Sequence, residues 1–150
     1  MYQKILVPLD GSELAECVFP HLEAFINGFS LQQVLLVRVV SPLSISSGLQ
    51  ASEMEIIQKN ELDREFQARE YLEQVPDRIS HIGVDLQFEV IVGTVADSLI
   101  DYAKTETVDL ILMATHGRSG ITRWVLGSVA DKILHSANIP VLMVRARTQR

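Results

Sequence analysis

The 150-residue sequence predicts an α/β fold: an open, five-stranded parallel sheet with helices on both faces. Five short apolar runs rich in β-branched residues recur along the chain, most of them near-continuous, as in strands covered on both sides. Between them lie segments whose apolar residues fall three and four positions apart, the helical period. The two patterns alternate as β-α-β-α-β-α-β-α-β, and right-handed crossovers between parallel strands follow from that order.

The first strand is "KILVPL", from Lys4. The helix after it presents Leu14, Val18, Leu22 and Phe25, with Ser12 placed to cap its start. Pro20 conflicts with an unbroken helix there, because it lacks the N–H and clashes with the preceding turn, so a kink or a late start is expected. "VLLVRVV", from Val34, is the second strand, and the Ser-rich stretch from 41 to 52 reads as a loop able to cover a site.

A charged helix is expected from Glu53 to Val75, burying Met54, Ile57, Leu62, Phe66 and Leu72 and ending at Pro76. "LQFEVIV", from Leu86, alternates more clearly and forms the third strand. Thr94 with Asp97 three residues on suggests a capping box opening the next helix, whose inner face is Val95, Leu99, Ile100 and Ala103. "DLILMA", from Asp109, is the fourth strand. The last helix packs Val129, Ile133, Leu134 and Ala137, and "PVLMVRA", from Pro140, completes the sheet. No linker interrupts the pattern, so residues 1–150 read as one domain.

Composition narrows the function. A hydrophobic share of 47% beside 21% charged residues fits a soluble globular chain, and a net charge of -6 opposes a general nucleic-acid surface. A local basic cluster can still hold a small anion. Cys17 is the single cysteine, so no intrachain disulfide forms, and its neighbours Leu14, Val18 and Phe25 suggest a small buried hydrophobe. No targeting segment is legible and no apolar run approaches the ~18–20 residues of a membrane span, so a cytoplasmic protein with no membrane partner is expected. His21, His81, His116 and His135 are scattered without metal-ligand spacing, and no metal site of the protein's own is expected.

The segment "ATHGRSGITRWVLGS", residues 114 to 128, leaves the fourth strand through glycines and arginines and opens the last helix with Gly-Ser. In an open parallel sheet of order 3-2-1-4-5, ligands bind beyond the carboxyl ends of the strands where the winding reverses, between strands one and four. "LDGS" after the first strand would then face this segment. A helix N-terminus favours an anion, Gly127 would admit a phosphate to the backbone, Ser128 could donate to it, Gly117 would make the turn, and Arg118 or Arg123 could add charge. The competing readings are plain: the glycines serve the turn, Ser128 caps the helix, Asp10 braces its own turn, and Trp124 packs against a sheet edge or a partner. Neither G-x-x-x-x-G-K-[ST] nor G-x-G-x-x-G occurs.

Ala114, Gly117, nine further residues and then Gly127-Ser128 resemble the G-x2-G-x9-G-[S/T] pattern of the nucleotide-binding branch of the universal stress protein family. "KILVPLDGSE", "VLLVRVV" and "GSVADKILHSANIPVLMVR" are similar to that family's first two strands and its closing helix and strand, so the resemblance covers the whole chain. It implies the 3-2-1-4-5 sheet, a Rossmann-like fold of the adenine nucleotide alpha hydrolase-like kind. It also implies binding of ATP, with AMP, ADP or cyclic AMP as alternatives and magnesium arriving with the phosphates.

By resemblance Asp10 takes the ribose hydroxyls, the Val39 backbone meets adenine, and Pro8 and Leu9 line base and sugar. Met113, Ala114, Gly117, Gly127, Ser128 and Val129 surround the phosphates. Ala114 departs from the pattern's first glycine; its methyl is tolerated where φ is negative and costs about 1 kcal/mol or more where the backbone is left-handed.

The implied protein is a stress-response signalling module that dimerises through Pro140 to Ala146. No catalytic residue is assigned and hydrolysis is expected to be slow at most. Two other functions stand beside it. One is a weak ATPase or other hydrolase in which His116 acts as base for Ser119 or water with Asp10 orienting it. The other is a nucleotide-free interaction protein of the same family.

Overall fold

The computed structural model describes residues 2–45, 47–116 and 126–146. Strands β1 (Lys4–Pro8), β2 (Gln33–Val40), β3 (Asp85–Val92), β4 (Leu110–Ala114) and β5 (Val141–Val144) form one sheet of order β3-β2-β1-β4-β5. Every neighbouring pair is parallel. The sequence-predicted order is therefore the observed one. The near-continuous apolar runs have their cause in the burial: all five residues of β4 and the middle of β1 are sealed from water on both faces.

One face packs Val7, Leu36 and Leu112 under Leu22 and Leu72, and the other packs Leu6, Leu35 and Ile111 under Leu99 and Ile133. These side chains come from alternate strand positions, which point to opposite faces. Asp109 seals the bottom of the β1–β4 seam, where one carboxylate oxygen accepts from the N–H groups of Gln3 and Lys4 at 2.8 Å each.

Pro20 has the effect foreseen. Helix α1 (Glu13–Glu16) is a single turn capped by Ser12, whose hydroxyl accepts from the Ala15 N–H, and helix α2 (Phe19–Gly28) restarts with Pro20 in its first turn. Cys17 lies at the break, half-buried against the core, and burial pushes its thiol pKa up.

The expected stripe of α3 (Ala51–Gln74) needs correction. Met54, Leu62 and Phe66 are 46%, 66% and 62% exposed, and Ala68 and Leu72 are the buried residues. A 24-residue helix runs about 36 Å, longer than the eight-residue strands beneath it, so Met54 and Leu62 in its first half have little sheet to pack on, while Phe66, two positions from the buried Ala68, lies on the opposite face of the helix. Pro76 does not simply end this helix; it opens a 3-10 turn, Pro76–Arg78. Thr94 precedes α4 (Val95–Thr105) but its side chain makes no capping bond. On α5 (Ser128–Ser136) Leu134 faces water at 51% exposure while Ala130 and Ile133 are buried.

A polar cluster ties α1 to the end of α3. The Tyr71 hydroxyl donates to Glu16 at 2.9 Å, and the Arg78 guanidinium holds both oxygens of that carboxylate at 2.8 and 2.6 Å. Burial pushes the Glu16 pKa up, but the bonds from Arg78 and Tyr71 outweigh it and leave the group below its ordinary value. The folded-state pKa is thus the lower one, so the stabilisation is present above pH 4.5 and lost as pH falls through the folded value. Arg78 is half exposed, which limits the effect to ~1 kcal/mol. Glu16→Gln should flatten the fall in urea-unfolding free energy between neutral and acid pH; an unchanged slope would place its origin elsewhere.

Candidate functional site

The carboxyl ends of β1 and β4 stand side by side at the point where the sheet reverses direction. Beyond β1, the Leu9 N–H donates to the Val37 carbonyl at 2.8 Å, and the chain then turns through Asp10, Gly11 and Ser12. The Asp10 Oδ1 accepts from the Ser12 N–H at 2.9 Å and from its hydroxyl, so Asp10 does brace its own turn. Gly11 adopts φ +83°, left-handed backbone that a side chain rarely enters.

Beyond β4, the Thr115 N–H is fixed to the Val144 carbonyl at 2.9 Å, and the Thr115 carbonyl accepts from the Gly127 N–H at 3.0 Å. A Cβ on Gly127 would stand 3.0 Å from that same oxygen. A side chain at Gly127 would therefore crowd the protein's own backbone, whereas the sequence reading had placed the reason for this glycine in a ligand. Gly127, not Ser128, occupies the cap position of α5, with no side-chain bond to the helix, and Ser128 is the first helical residue. Ala114 ends β4 in extended backbone with no positive φ, so its methyl meets no left-handed strain.

These segments enclose a cavity of about 310 Å³. Pro8, Leu9, Asp10, Val39, Met113, Ala114, Gly127, Ser128 and Val129, all singled out from the sequence, lie on its wall. Gly117, Arg118, Ser119, Arg123 and Trp124 fall outside the described residues. Sequence reasoning missed Ala15, Val37, Val95, Leu99, Thr115 and Ala130 as wall residues. Val37 was within reach of it, since a residue two before Val39 in a strand shares its face.

The wall is mostly apolar, with polar groups at its rims. Asp10 is the only acidic residue on it among the described residues, and its charge raises the pKa of Glu16 and Tyr71 nearby. Across from Asp10, α5 presents the start of a helix without a side-chain cap. His116 also lines the cavity, its Nδ1 3.0 Å from the Thr115 hydroxyl. Among the described residues, no three His, Cys, Asp or Glu side chains come together to hold a metal.

A mostly apolar cavity whose wall carries a carboxylate and a helix N-terminus suits an apolar ring bearing hydroxyls and an anionic tail. Fold and crevice define a doubly wound α/β protein with an open crevice at its topological switch point.

The chain belongs to the Universal stress protein family, which matches residues 1–145. It is 31% identical over 160 residues to universal stress protein MJ0577 of Methanocaldococcus jannaschii, covering 98% of this chain and 97% of that protein. A solved structure of MJ0577 superposes with a TM-score of 0.79 at 28% identity, covering 99% of each chain. Two more distant structures share the fold. A universal stress protein in complex with cAMP has a TM-score of 0.60 at 20% identity, covering 97% of this chain and 98% of its own. An Arabidopsis thaliana family protein with AMP bound has a TM-score of 0.62 at 16% identity, covering 97% and 93%.

Proposed function

We propose that this chain binds an adenine nucleotide, ATP foremost, in the crevice between the β1–α1 turn and the start of α5. The observation that carries this is the meeting of five chain segments around one mostly apolar cavity whose wall includes both the Asp10 carboxylate and the N-terminus of α5. Proteins of the same fold that hold AMP and cAMP make the adenine nucleotides the ligand class to test first. Asp10 would receive the ribose hydroxyls, the Val39 backbone the base, and Pro8 and Leu9 the ring and sugar. Because the Gly127 N–H is already donated to Thr115, the amides of Ser128 and Val129 are the ones left to meet phosphate. Magnesium would come with the nucleotide rather than sit in a cage of side chains.

Hydrolysis is little or none, since the chain has no P-loop lysine to stabilise the transferring phosphoryl group. The module reads instead as a cytoplasmic stress-response switch whose occupancy sets its partners. Isothermal calorimetry with ATP and magnesium tests the binding. Heat of binding is expected, and Asp10→Asn, which keeps an acceptor for Ser12 but removes the charge, should weaken ATP about tenfold. No heat at millimolar ATP from folded protein would end the reading.

Dimerisation is the second part of the proposal. β5 pairs with β4 alone in the sheet, and Leu142 is 37% exposed. A second copy pairing along Pro140 to Ala146 would cover that edge. Light scattering at micromolar concentration should give twice the chain mass, and Leu142→Lys should give the monomer; a monomeric unaltered chain would refute the dimer.

A further inference from the structure

Arg38 leaves β2 on the face opposite its neighbours Val37 and Val39, which line the cavity. Its guanidinium carbon lies 5.4 Å from the centre of the Tyr71 ring on α3. On its other side it reaches the β1–α1 turn: a Cβ on Gly11 would stand 3.0 Å from Arg38 Nη1 and 3.3 Å from the guanidinium carbon. The positive φ of Gly11 is what demands glycine there, and the absence of a side chain leaves room for the Arg38 guanidinium to lie beside the turn.

Tyr71 joins this contact to a second one. Its ring carries Arg38, while its hydroxyl donates to Glu16, which Arg78 also holds. Gly11 precedes α1 and Glu16 ends it, so the turn is met by Arg38 of β2 and the helix end is held by Tyr71 of α3 and by Arg78. The Asp10–Ser12 bond pair that fixes the Asp10 carboxylate spans Gly11 itself. We propose that Arg38 is a positioning residue for nucleotide binding: by bearing on Gly11 from the Tyr71 ring, it sets the turn that holds Asp10 at the cavity wall. The inference rests on the nucleotide-binding reading above and assigns the discrimination of the ribose to a residue that does not line the cavity.

A general loss of structure would weaken every nucleotide alike, whereas a misplaced Asp10 weakens only those with ribose hydroxyls. The test compares ATP with 2′,3′-dideoxy-ATP by calorimetry on the unaltered chain, Arg38→Met and Arg38→Lys. The unaltered chain is expected to prefer ATP. Arg38→Met should lower ATP affinity about tenfold and leave the dideoxy compound within twofold, with its melting temperature recorded beside it. Arg38→Lys should recover part of the preference, because an ammonium keeps the charge without the flat plate that stacks on Tyr71.

Equal losses for both ligands, or an unchanged preference in Arg38→Met, overturn the proposal. If that variant does not fold, an undiminished preference in Arg38→Lys overturns it instead. Failure of the unaltered chain to bind either compound removes the nucleotide-binding reading and this inference with it; binding by that chain with Arg38 indifferent removes this inference alone.

Discussion

Leu36→Ala is expected to cost about 3–5 kcal/mol of unfolding free energy, the largest loss among the substitutions considered. Leu36 is fully buried in β2, opposite Val7 of β1 and Phe88 of β3, on the face covered by α2 and α3. With strands fixed on both sides, little around it can collapse into the space the missing carbons leave, so the cavity cost adds to the lost burial. A domain of this size has ~5–15 kcal/mol in all, so the variant should melt roughly 10 °C lower. Urea unfolding measures the loss directly; a change under 1 kcal/mol would mean that the sheet relaxes far more than its pairing suggests.

Gly127→Val is expected to have the largest effect on binding, about a hundredfold weaker for ATP, or ~3 kcal/mol. The first added carbon already meets the Thr115 carbonyl at 3.0 Å, and a β-branched residue brings two more. Thr115 cannot readily yield, since its own N–H is fixed to Val144 on β5. The start of α5 must move instead, carrying the amides of Ser128 and Val129 away from the cavity. Gly127→Ala should show the same effect in smaller measure. Calorimetry on both variants, with circular dichroism as the check on folding, decides it: full affinity in the valine variant would separate α5 from the anion.

The strands and their parallel pairing were legible in the chain because strands buried on both faces leave long apolar runs, whereas their order came only with the family resemblance. The outer half of α3 was not legible. Met54 and Leu62 keep a helical period, and period alone cannot tell a helix lying on a sheet from one projecting past its end. Leu134 failed for a related reason: the flank of a helical stripe reads like its centre until the neighbouring element is known.

At the crevice, the loop ends announced themselves through Asp10 and Gly127, whose residue types need special explanations. Ala15, Val37 and Leu99 did not, since an apolar side chain facing a cavity obeys the same spacing as one facing a packed core. The reason for Gly127 was legible only in part. A demand for a bare Cα could be read from the residue, but whether ligand or protein made the demand needed the position of the Thr115 carbonyl.

The crevice takes one side from the chain's first turn and the other from its last helix. If segments so far apart in the chain meet only after the transition state for folding, there is nothing before it for a guest to occupy. A bound nucleotide should therefore slow unfolding without hastening refolding, acting as a latch on the finished molecule and never as a template for the growing one.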